Sequence, residues 1–336
     1  MALISLLSVD DDLTEYDENK HLAVSALRTS ASIDRFGVHS LTEDHAAADI
    51  ILFVAMGTCG DFAERVRAHP LYRKYPEKCF LFDSADYIRP VLRGIYASLH
   101  KKDYAAEHTR TGFYLMPENP FIDYRPSIGP RKYLAAFVGS SNTHPVREGL
   151  FQFNRPDILV LDSSNESYRI RYHGTPAEKE EFWQRYANSI ADASFSLCPR
   201  GRGPGSIRLY ESMKMGRACV VISDDWVPNE GVDWDSFAVF VPEKDVAGIP
   251  ALLEQLRPRA KEMGERARAE WEKWFAEDVR FHQVAELCLD MQMHRKTYGK
   301  LHRMYHLRHV VASRSDFWRY MISKKRLYKE HRRIFW

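Results

Sequence analysis

Residues Ser194–Val241 read SFSLCPRGRGPGSIRLYESMKMGRACVVISDDWVPNEGVDWDSFAVFV. A short apolar strand runs into the glycine- and arginine-rich loop Pro199–Gly205, and a helix is predicted from Ser206 to Gly216. Glycine lets the backbone approach a ligand closely, and arginine supplies fixed positive charge. Because free N–H groups at the start of a helix point toward such a loop, it is a natural anion site. The stretch therefore predicts a site for a diphosphate.

The rest of the chain predicts an α/β fold, because short apolar runs alternate with longer, helix-like segments. Nearly continuous apolar runs are typical of strands buried on both faces of a parallel sheet. The predicted strands are Leu3–Val9, Ala48–Ala55, Cys79–Phe82, Tyr133–Val138, Ile158–Leu161, Phe195–Cys198, Ala218–Ser223 and Phe237–Val241. The predicted helices are Phe62–Ala68, Ala177–Asp192, Ser206–Gly216, Ile249–Leu256 and one long helix from Arg257 to about Met293.

The length of 336 residues suits two domains. Residues Pro117–Lys132 contain four prolines and no helical periodicity, so they are expected to form an extended linker. Two domains with parallel sheets facing a cleft would place ligands at the carboxyl ends of the strands. The expected boundaries are 1–128 for an N-terminal domain, 129–285 for a second domain and 286–336 for a basic, aromatic helical tail.

The bulk composition narrows the class of protein. The five cysteines are scattered and include no C-x-x-C pair, which argues against a zinc site or a disulfide framework and favours a reducing compartment. No run of about 20 apolar residues is present, and the N-terminus lacks the basic flank of a signal peptide. The expected location is cytoplasmic, with association at the inner face of a membrane as an additional expectation.

The C-terminal segment 293–336 is strongly basic, with 13 Lys/Arg and two acids in a chain whose overall net charge is +2. Interleaved aromatic residues suit a helix that lies on an anionic membrane surface. Packing of this segment on the first domain is an equally open alternative, and nucleic acid is not expected as a partner. His302, His306 and His309 lie at helical intervals, but such a set is more often an amphipathic surface than a metal site.

Two local features leave a structural and a functional interpretation open. Arg208 and Glu211 lie on one face of the predicted helix and either pair with each other, or bind the phosphates and the ribose hydroxyls of a nucleotide. Ser223, Asp224 and Asp225 follow a buried strand, where acids serve either a ligand or a capped turn.

The segment resembles the exostosin family of glycosyltransferases, whose motifs occur here in the same order. The matching motifs are Ser196–Gly201, Ser206–Arg208, Glu211, Gly216, Ser223–Asp225, Pro228, Trp234–Phe237 and Glu243. Upstream, Ala135–Ser140 and Arg147 look like the first strand of the family's donor domain and its nearby arginine, and Tyr186 also fits. The chain departs from the common pattern at Trp226–Asn229, where many members have a Leu-Pro-Phe turn near the donor sugar.

The resemblance implies a GT-B fold, with two Rossmann-like domains of which the first binds the acceptor and the second the nucleotide sugar. It implies an inverting transfer from a UDP-sugar to a hydroxyl of a glycan or lipid-linked glycan, in polysaccharide biosynthesis. No metal and no cofactor beyond this co-substrate are expected. The donor-binding residues implied are Gly139, Arg147, Pro199, Arg200, Gly201, Arg202, Ser206, Ile207, Arg208, Glu211, Ser223, Asp224 and Asp225.

An inverting transfer also needs a general base for the acceptor hydroxyl. Acids that follow the N-terminal strands are the candidates, namely Asp10–Asp12, Asp61, Asp83 and Asp86, and Asp86 and Asp83 are favoured because they follow a short buried strand. A retaining GT-B transferase of another family is an alternative function. A non-catalytic sugar- or membrane-binding protein on a transferase scaffold is another.

Overall fold

The computed structural model describes residues 1–8, 22–55, 62–86, 88, 90, 92–115, 119–126 and 129–294. The chain divides into two compact units. The N-terminal unit contains residues 1–116 together with helix α10, Glu277–Met293, and the C-terminal unit contains residues 117–276. Both units are built on a parallel sheet, so the predicted α/β class with two parallel-sheet domains is confirmed.

The N-terminal unit has a six-stranded sheet in the order β2-β1-β3-β4-β5-β6, and all its strand pairs are parallel. Strand β3 is buried along its whole length, as its uninterrupted apolar sequence predicts. The strands are β1 Leu3–Ser8, β2 Ser40–Leu41, β3 Ile50–Ala55, β4 Cys79–Asp83, β5 Gly94–Tyr96 and β6 Thr109–Thr111. The helices before the unit boundary are α1 Leu22–Ser32, α2 Phe62–Ala68 and α3 Pro70–Lys74.

The C-terminal unit has a five-stranded parallel sheet in the order β11-β10-β9-β7-β8. The order in which successive strands are added reverses between β7 and β9, with β8 on one side of β7 and β9 on the other, and doubly wound sheets bind ligands at such a switch point. The strands are β7 Tyr133–Gly139, β8 Ile158–Asp162, β9 Ala193–Pro199, β10 Ala218–Ile222 and β11 Ala238–Phe240. The helices are α4 Val146–Leu150, α5 Ser164–His173, α6 Pro176–Ala191, α7 Ile207–Lys214, α8 Ile249–Leu256 and α9 Ala260–Trp274.

The single long helix predicted from Arg257 to Met293 is wrong. A short 3₁₀ turn at Arg257–Arg259 precedes α9, and the helix is interrupted at Phe275 and Ala276 before α10 begins. Phe275 is buried, with its ring edge-on to Tyr210 at 4.9 Å, so burial of this residue in the C-terminal unit ends α9. The interruption allows α9 and α10 to belong to different units.

Helix α10 packs on the N-terminal unit, so the expected boundary after residue 285 falls inside a helix and is corrected to residue 276. The Phe281 N–H donates to Ser30 Oγ at 2.8 Å, and Arg110 pairs with Asp290 at the far end of the helix. Residues 286–294 of the expected tail thus pack on the N-terminal unit, and the rest of the tail lies outside the described residues.

The proline-rich segment forms no helix within its described residues, as predicted, but it packs on the C-terminal unit. Ile122 is buried beside Ala187, Ile190 and Met215. The backbone carbonyl of Arg125 accepts a hydrogen bond from the buried Arg217 guanidinium at 2.8 Å. Apolar contacts and hydrogen bonds therefore hold this segment against the rest of the C-terminal unit.

Gly216 ends α7 as predicted, with a φ of 70° that favours glycine. Gly264 of α9 crosses the turn at this point, and a Cβ added to Gly264 would lie 2.4 Å from the carbonyl oxygen of Gly216. Two glycines therefore bring α9 against the turn that leads into β10.

Two further expectations concern membranes and cysteines. Within the described ranges, no helix combines the length and the apolar character that a membrane crossing requires. Cys79, Cys198, Cys219 and Cys288 are free and buried, and Cys59 lies outside the described ranges.

Candidate functional site

The candidate site lies at the carboxyl ends of β7, β9 and β10 in the C-terminal unit. Since β7 and β9 are neighbours in the sheet although about 60 residues separate them in sequence, the loops that follow them meet. The loop after β9 carries Pro199–Gly205, and the loop after β7 carries Ser140–His144. This is the location where parallel sheets bind ligands.

Arg147, in α4, joins these two loops. Its Nε donates to the carbonyl oxygen of Arg200 at 2.8 Å, and its Nη1 donates to the carbonyl oxygen of Ser140 at 2.9 Å. A Cβ added to Gly201 would lie 3.1 Å from Nη2 of Arg147, so a residue without a side chain suits this position. The arginine therefore fixes the loop backbone as well as bringing positive charge to it.

The loop after β7 is also held by Asp162, at the end of β8. Its carboxylate accepts hydrogen bonds from Ser141 Oγ at 2.6 Å and from the N–H of Ser164 at 2.9 Å. Although burial raises its pKa, the hydrogen bonds from Ser141 and Ser164 lower the pKa of Asp162 to about 2. The carboxylate is thus ionised throughout the neutral range and anchors the loop.

Arg208 lies in the first turn of α7 and is almost fully buried. Its guanidinium donates to the carbonyl oxygen of Val138 and lies 4.5 Å from the ring of Phe137 and 5.1 Å from that of Tyr186. A Cβ added to Gly139 would lie 3.2 Å from its Nη2, which explains the glycine at the end of β7. The cation is therefore held at the switch point by two aromatic faces and a carbonyl.

Glu211 follows one turn later in α7 and is partly buried. Its Oε2 accepts a hydrogen bond from the Tyr186 hydroxyl, with the two oxygens 2.5 Å apart. Burial raises the pKa of Tyr186, so the phenol remains protonated and acts as the donor. Arg208 and Glu211 thus both contact Tyr186, the guanidinium against its ring and the carboxylate at its hydroxyl.

Arg200 forms the centre of a charged cluster at the ends of β9, β10 and β11. Its Nη1 lies 3.2 Å from Asp225 and 3.4 Å from Glu243. Asp224 and Glu243 exchange backbone-to-carboxylate hydrogen bonds of 3.0 and 3.1 Å. The two aspartates therefore brace the turn after β10, and Asp225 also neutralises part of the loop charge.

Several polar atoms at this edge are buried without a hydrogen-bond partner. They are Nε of Arg200, Oγ of Ser223 and Oγ1 of Thr143. A buried polar atom without a partner is unfavourable in free energy by about 1–3 kcal/mol. These three atoms lie in the loops after β7, β9 and β10, and a ligand bound there could supply the missing partners.

The remaining predicted donor residues are Pro199, Arg202, Ser206 and Ile207. Arg202 and Ile207 are exposed, and Pro199 ends β9 as a buried residue. Ser206 is the residue before α7, as predicted, but its hydroxyl makes no capping hydrogen bond. Among the described residues, Arg202 forms no ion pair, so its charge is available at the mouth of the loop.

His144 is a site residue that the sequence did not single out. Its Nδ1 accepts the N–H of Val146 at 3.3 Å and lies 3.9 Å from a carboxylate oxygen of Glu243. Burial, and then the positive charge of Arg200, lower the pKa of His144. The ring is neutral at pH 7 and carries its proton on Nε2. A histidine in a polar loop gives no periodic signal, and only the loop's position reveals it.

Trp226, in the turn that departs from the family pattern, is buried. Its ring lies edge-on to Trp234 at 5.2 Å and parallel to Phe240 at 6.4 Å. Its indole Nε1 is a further buried donor without a partner. The tryptophan therefore forms part of the core beneath the turn.

The two favoured base candidates differ in their surroundings. Asp83 is buried at the end of β4 and accepts the N–H of Ala85 at 3.0 Å. Asp86 is exposed, and its Oδ1 accepts the hydroxyl of Tyr114 at 3.1 Å. Asp83 thus has the contacts of a turn residue, whereas Asp86 is accessible. Asp10–Asp12 and Asp61 lie outside the described residues.

Comparison with known proteins finds sequence similarity over the part of the chain that contains the site. Residues 115–256 match the Exostosin GT47 domain. The exostosin-1 homolog of Caenorhabditis elegans is 34% identical over 152 residues, which are 41% of this chain and 39% of that protein. Exostosin-2 of Bos taurus is 32% identical over 161 residues, or 44% of this chain and 21% of that protein. The chain therefore spans less than half the length of the curated relatives it matches.

Two solved structures resemble the chain at a low level. MurG of Acinetobacter baumannii gives a TM-score of 0.39 at 11% identity, over 86% of this chain and 99% of that structure. Anabaena HepE in complex with UDP gives 0.39 at 10% identity, over 85% of this chain and 99% of that structure. The similarity to the exostosin family rests on the sequence matches and not on these structures.

Proposed function

We propose, from the exostosin-like GT47 domain that residues 115–256 carry, that the protein is an inverting glycosyltransferase. It transfers a sugar from a UDP-sugar to a hydroxyl of a glycan or lipid-linked glycan in polysaccharide biosynthesis. The observation that carries the proposal is that arginines and unpartnered polar atoms lie together at the carboxyl ends of β7, β9 and β10.

The diphosphate fits the loop after β9. Arg200 is a buried cation in this loop, Arg202 is an exposed one, and Arg208 is a buried cation in the helix that follows it. The unpartnered Nε of Arg200 and the hydroxyls of Ser223 and Thr143 gain acceptors for their hydrogens when phosphate oxygens enter. Cations held in a partly dry site stabilise the negative charge that develops on a leaving diphosphate. These residues can therefore support departure of UDP without a catalytic metal.

Glu211 suits the ribose. A carboxylate oriented by Tyr186 accepts hydrogen bonds from neighbouring hydroxyls, and it lies one helical turn after Arg208. The spacing lets one helix serve both the sugar and the phosphate of a nucleotide. Tyr186, which also fits the family pattern, positions the Glu211 carboxylate through this hydrogen bond.

The proposed chemistry is a direct displacement. The acceptor hydroxyl oxygen forms a bond to the anomeric carbon while the bond from that carbon to the diphosphate breaks. The acceptor proton passes to a carboxylate, for which Asp86 is proposed ahead of Asp83 because Asp86 is exposed. UDP leaves with the bonding electron pair. Inversion follows from a single displacement at the anomeric carbon.

Isothermal titration of full-length protein with UDP, UMP and uridine tests the donor half. UDP is expected to bind more tightly than UMP by at least about tenfold, since charge-assisted hydrogen bonds to the second phosphate are lost in UMP. Equal affinities for UDP and uridine would contradict a diphosphate site. NMR of the product's anomeric proton then separates an inverting from a retaining enzyme, and binding without turnover favours the non-catalytic alternative.

We also propose that the basic segment 293–336 contacts an anionic membrane surface on the cytoplasmic side, supported by its charge and aromatic residues. Full-length protein is expected to float with liposomes that contain anionic lipid, and a chain truncated at Met293 is not. Equal flotation of both chains would contradict the proposal.

A further inference from the structure

Three potential metal ligands meet in the N-terminal unit, whereas the proposed donor site belongs to the C-terminal unit. His39 directly precedes β2, and His282 and Glu286 lie one turn apart on α10. One ligand atom of each residue lies within 4.8 Å of those of the other two. The residues are 243 or more positions apart from His39 in sequence, so only the return of α10 to this unit assembles them.

His39 is held in this cluster by a hydrogen bond and by burial. Its Nε2 lies 2.8 Å from Oε1 of Glu286, and its side chain is 1% exposed. Its Nδ1 is buried and has no hydrogen-bond partner. An imidazole always has a second nitrogen to satisfy, so the existing hydrogen bond leaves this ring incompletely paired.

His282 shows the same feature. Its ring is stacked on Phe36 at 4.0 Å and lies 5.1 Å from the ring of His39. Its Nδ1 is also buried without a partner. Two unpartnered imidazole nitrogens in contacting rings are unfavourable unless a further group is bound.

The loop that presents His39 is fixed on α10. Arg35 makes a bidentate pair with Asp278, with N–O distances of 3.0 and 2.9 Å. The backbone N–H of Arg35 also donates to the carbonyl oxygen of Asp278 at 3.0 Å. Asp34, beside it, has one carboxylate oxygen that is buried without a partner. The ligand positions are thus preorganised, and a third unsatisfied acceptor lies in the same loop.

We propose that His39, His282 and Glu286 bind a divalent transition-metal ion, with zinc as the probe. Two imidazoles and one carboxylate, with water as a fourth ligand, are a donor set that zinc prefers. Ligand atoms on a tetrahedral zinc are about 3.3 Å apart, which small side-chain rotations reach from the present separations. Glu286 is half exposed, so its side chain has room to make this adjustment.

The bound ion cross-links the loop before β2 to α10. It therefore stabilises the docking of α10 on the N-terminal unit. The site does not depend on the proposed transferase activity, because none of its residues belongs to the donor site. Loss of the ion is expected to loosen α10 and leave UDP affinity in the C-terminal unit unchanged.

The test uses full-length protein freed of metal with a chelator, then titrated with Co²⁺ and Zn²⁺. One Co²⁺ per chain is expected, with visible d–d absorption of a tetrahedral nitrogen and oxygen set. Zn²⁺ is expected to raise the Tm on the order of 5 °C at saturation. Glu286→Gln and His282→Gln are expected to abolish both signals, whereas His173→Gln, on the exposed surface of α5, retains them.

A second variant separates this site from the histidines of the basic segment. Replacement of His302, His306 and His309 by glutamine is expected to leave both signals intact. The proposal is overturned by a missing Co²⁺ spectrum, by signals that persist in folded Glu286→Gln, or by signals that disappear with the three distal histidines. UDP titration of Glu286→Gln is unaffected in every case, so failure here leaves the transferase proposal standing.

Discussion

The hydroxyl of Tyr186 lies 2.5 Å from Oε2 of Glu211, and this contact joins α6 to the helix that follows the glycine-rich loop. Burial keeps the phenol protonated by raising its pKa, so Tyr186 donates and Glu211 accepts. The carboxylate therefore has a fixed orientation before any nucleotide binds. Preorganisation of this kind lowers the entropy lost on binding.

Tyr186→Phe removes this orienting hydrogen bond without changing the ring. UDP binding is expected to weaken by about five- to fifteenfold, the effect of about 1–1.5 kcal/mol that one hydrogen bond contributes. Isothermal titration measures it. Tyr168→Phe, at an exposed position of α5, is the matched control and should bind as the unmodified protein does. Equal affinity of the two variants would remove Tyr186 from the donor site.

Arg208→Ala removes a buried cation from the switch point. UDP affinity is expected to fall by at least about thirtyfold, because charge-assisted hydrogen bonds contribute about 2 kcal/mol or more. Arg208→Lys keeps the charge but loses the planar group between two aromatic rings, so an intermediate loss is expected. Arg266→Ala, on the surface of α9, is the control. A UDP affinity for Arg208→Ala equal to that of the control would contradict the diphosphate assignment.

The lowered pKa of His144 predicts a pH dependence of UDP binding. In the free protein, burial and Arg200 hold this pKa below its ordinary 6.5, so a proton is unfavourable there. A bound diphosphate is negatively charged and raises the pKa, so binding takes up protons in the window between the two values. Affinity is therefore expected to increase as the pH falls from 7.5 through 6.

His144→Gln separates this effect from titration of the nucleotide itself. The phosphate of UDP also titrates near pH 6, and its contribution is the same for both proteins. The slope of log Kd against pH is expected to be smaller in the variant, which titration calorimetry at several pH values measures. Superimposable slopes would show that His144 does not sense the diphosphate.

Gly264→Ala reverses the usual effect of alanine in a helix. Alanine normally stabilises a helix interior by about 1 kcal/mol over glycine. Here the added Cβ would lie 2.4 Å from the carbonyl oxygen of Gly216, so α9 must move. The free energy of unfolding is expected to fall by about 1–3 kcal/mol. Gly248→Ala, where the added Cβ meets no atom within 4 Å, is the control in a denaturant titration. A gain in stability for Gly264→Ala would refute the close approach.

Asp86→Asn tests the proposed general base. Turnover is expected to fall by at least about a hundredfold, since base catalysis contributes on that scale, while the Kd for UDP is unchanged. Asp83→Asn is expected to lower the free energy of unfolding instead, because Asp83 is buried and accepts the N–H of Ala85 in the following turn. Steady-state kinetics and thermal unfolding distinguish the two. Nearly full turnover of Asp86→Asn would contradict the assignment of Asp86 as the general base.

Strands and the loop between β9 and α7 were predictable because their signals are local. The apolar run Ile50–Ala55 is buried on both faces, and the pattern of glycine and arginine after β9 is a turn before a helix. Edge strands were missed because they lack such a local signal. Strand β6, Thr109–Thr111, is polar and three residues long, and it is recognisable only from its partner β5. The break at Phe275 was missed because burial in one unit, not helix propensity, ends α9.

The sequence by itself determined the α/β class, the order of the motifs and the residues that we propose for a diphosphate site. These follow from hydrophobic period, turn chemistry and charge, which act between near neighbours along the chain. Only the tertiary structure decided that Arg147 braces the loop of Arg200, that Tyr186 orients Glu211, and that His144 belongs to the site. Only the tertiary structure, likewise, brings His39 to α10. The physical reason is that strand order and helix docking set which distant side chains meet, and no local pattern encodes those contacts.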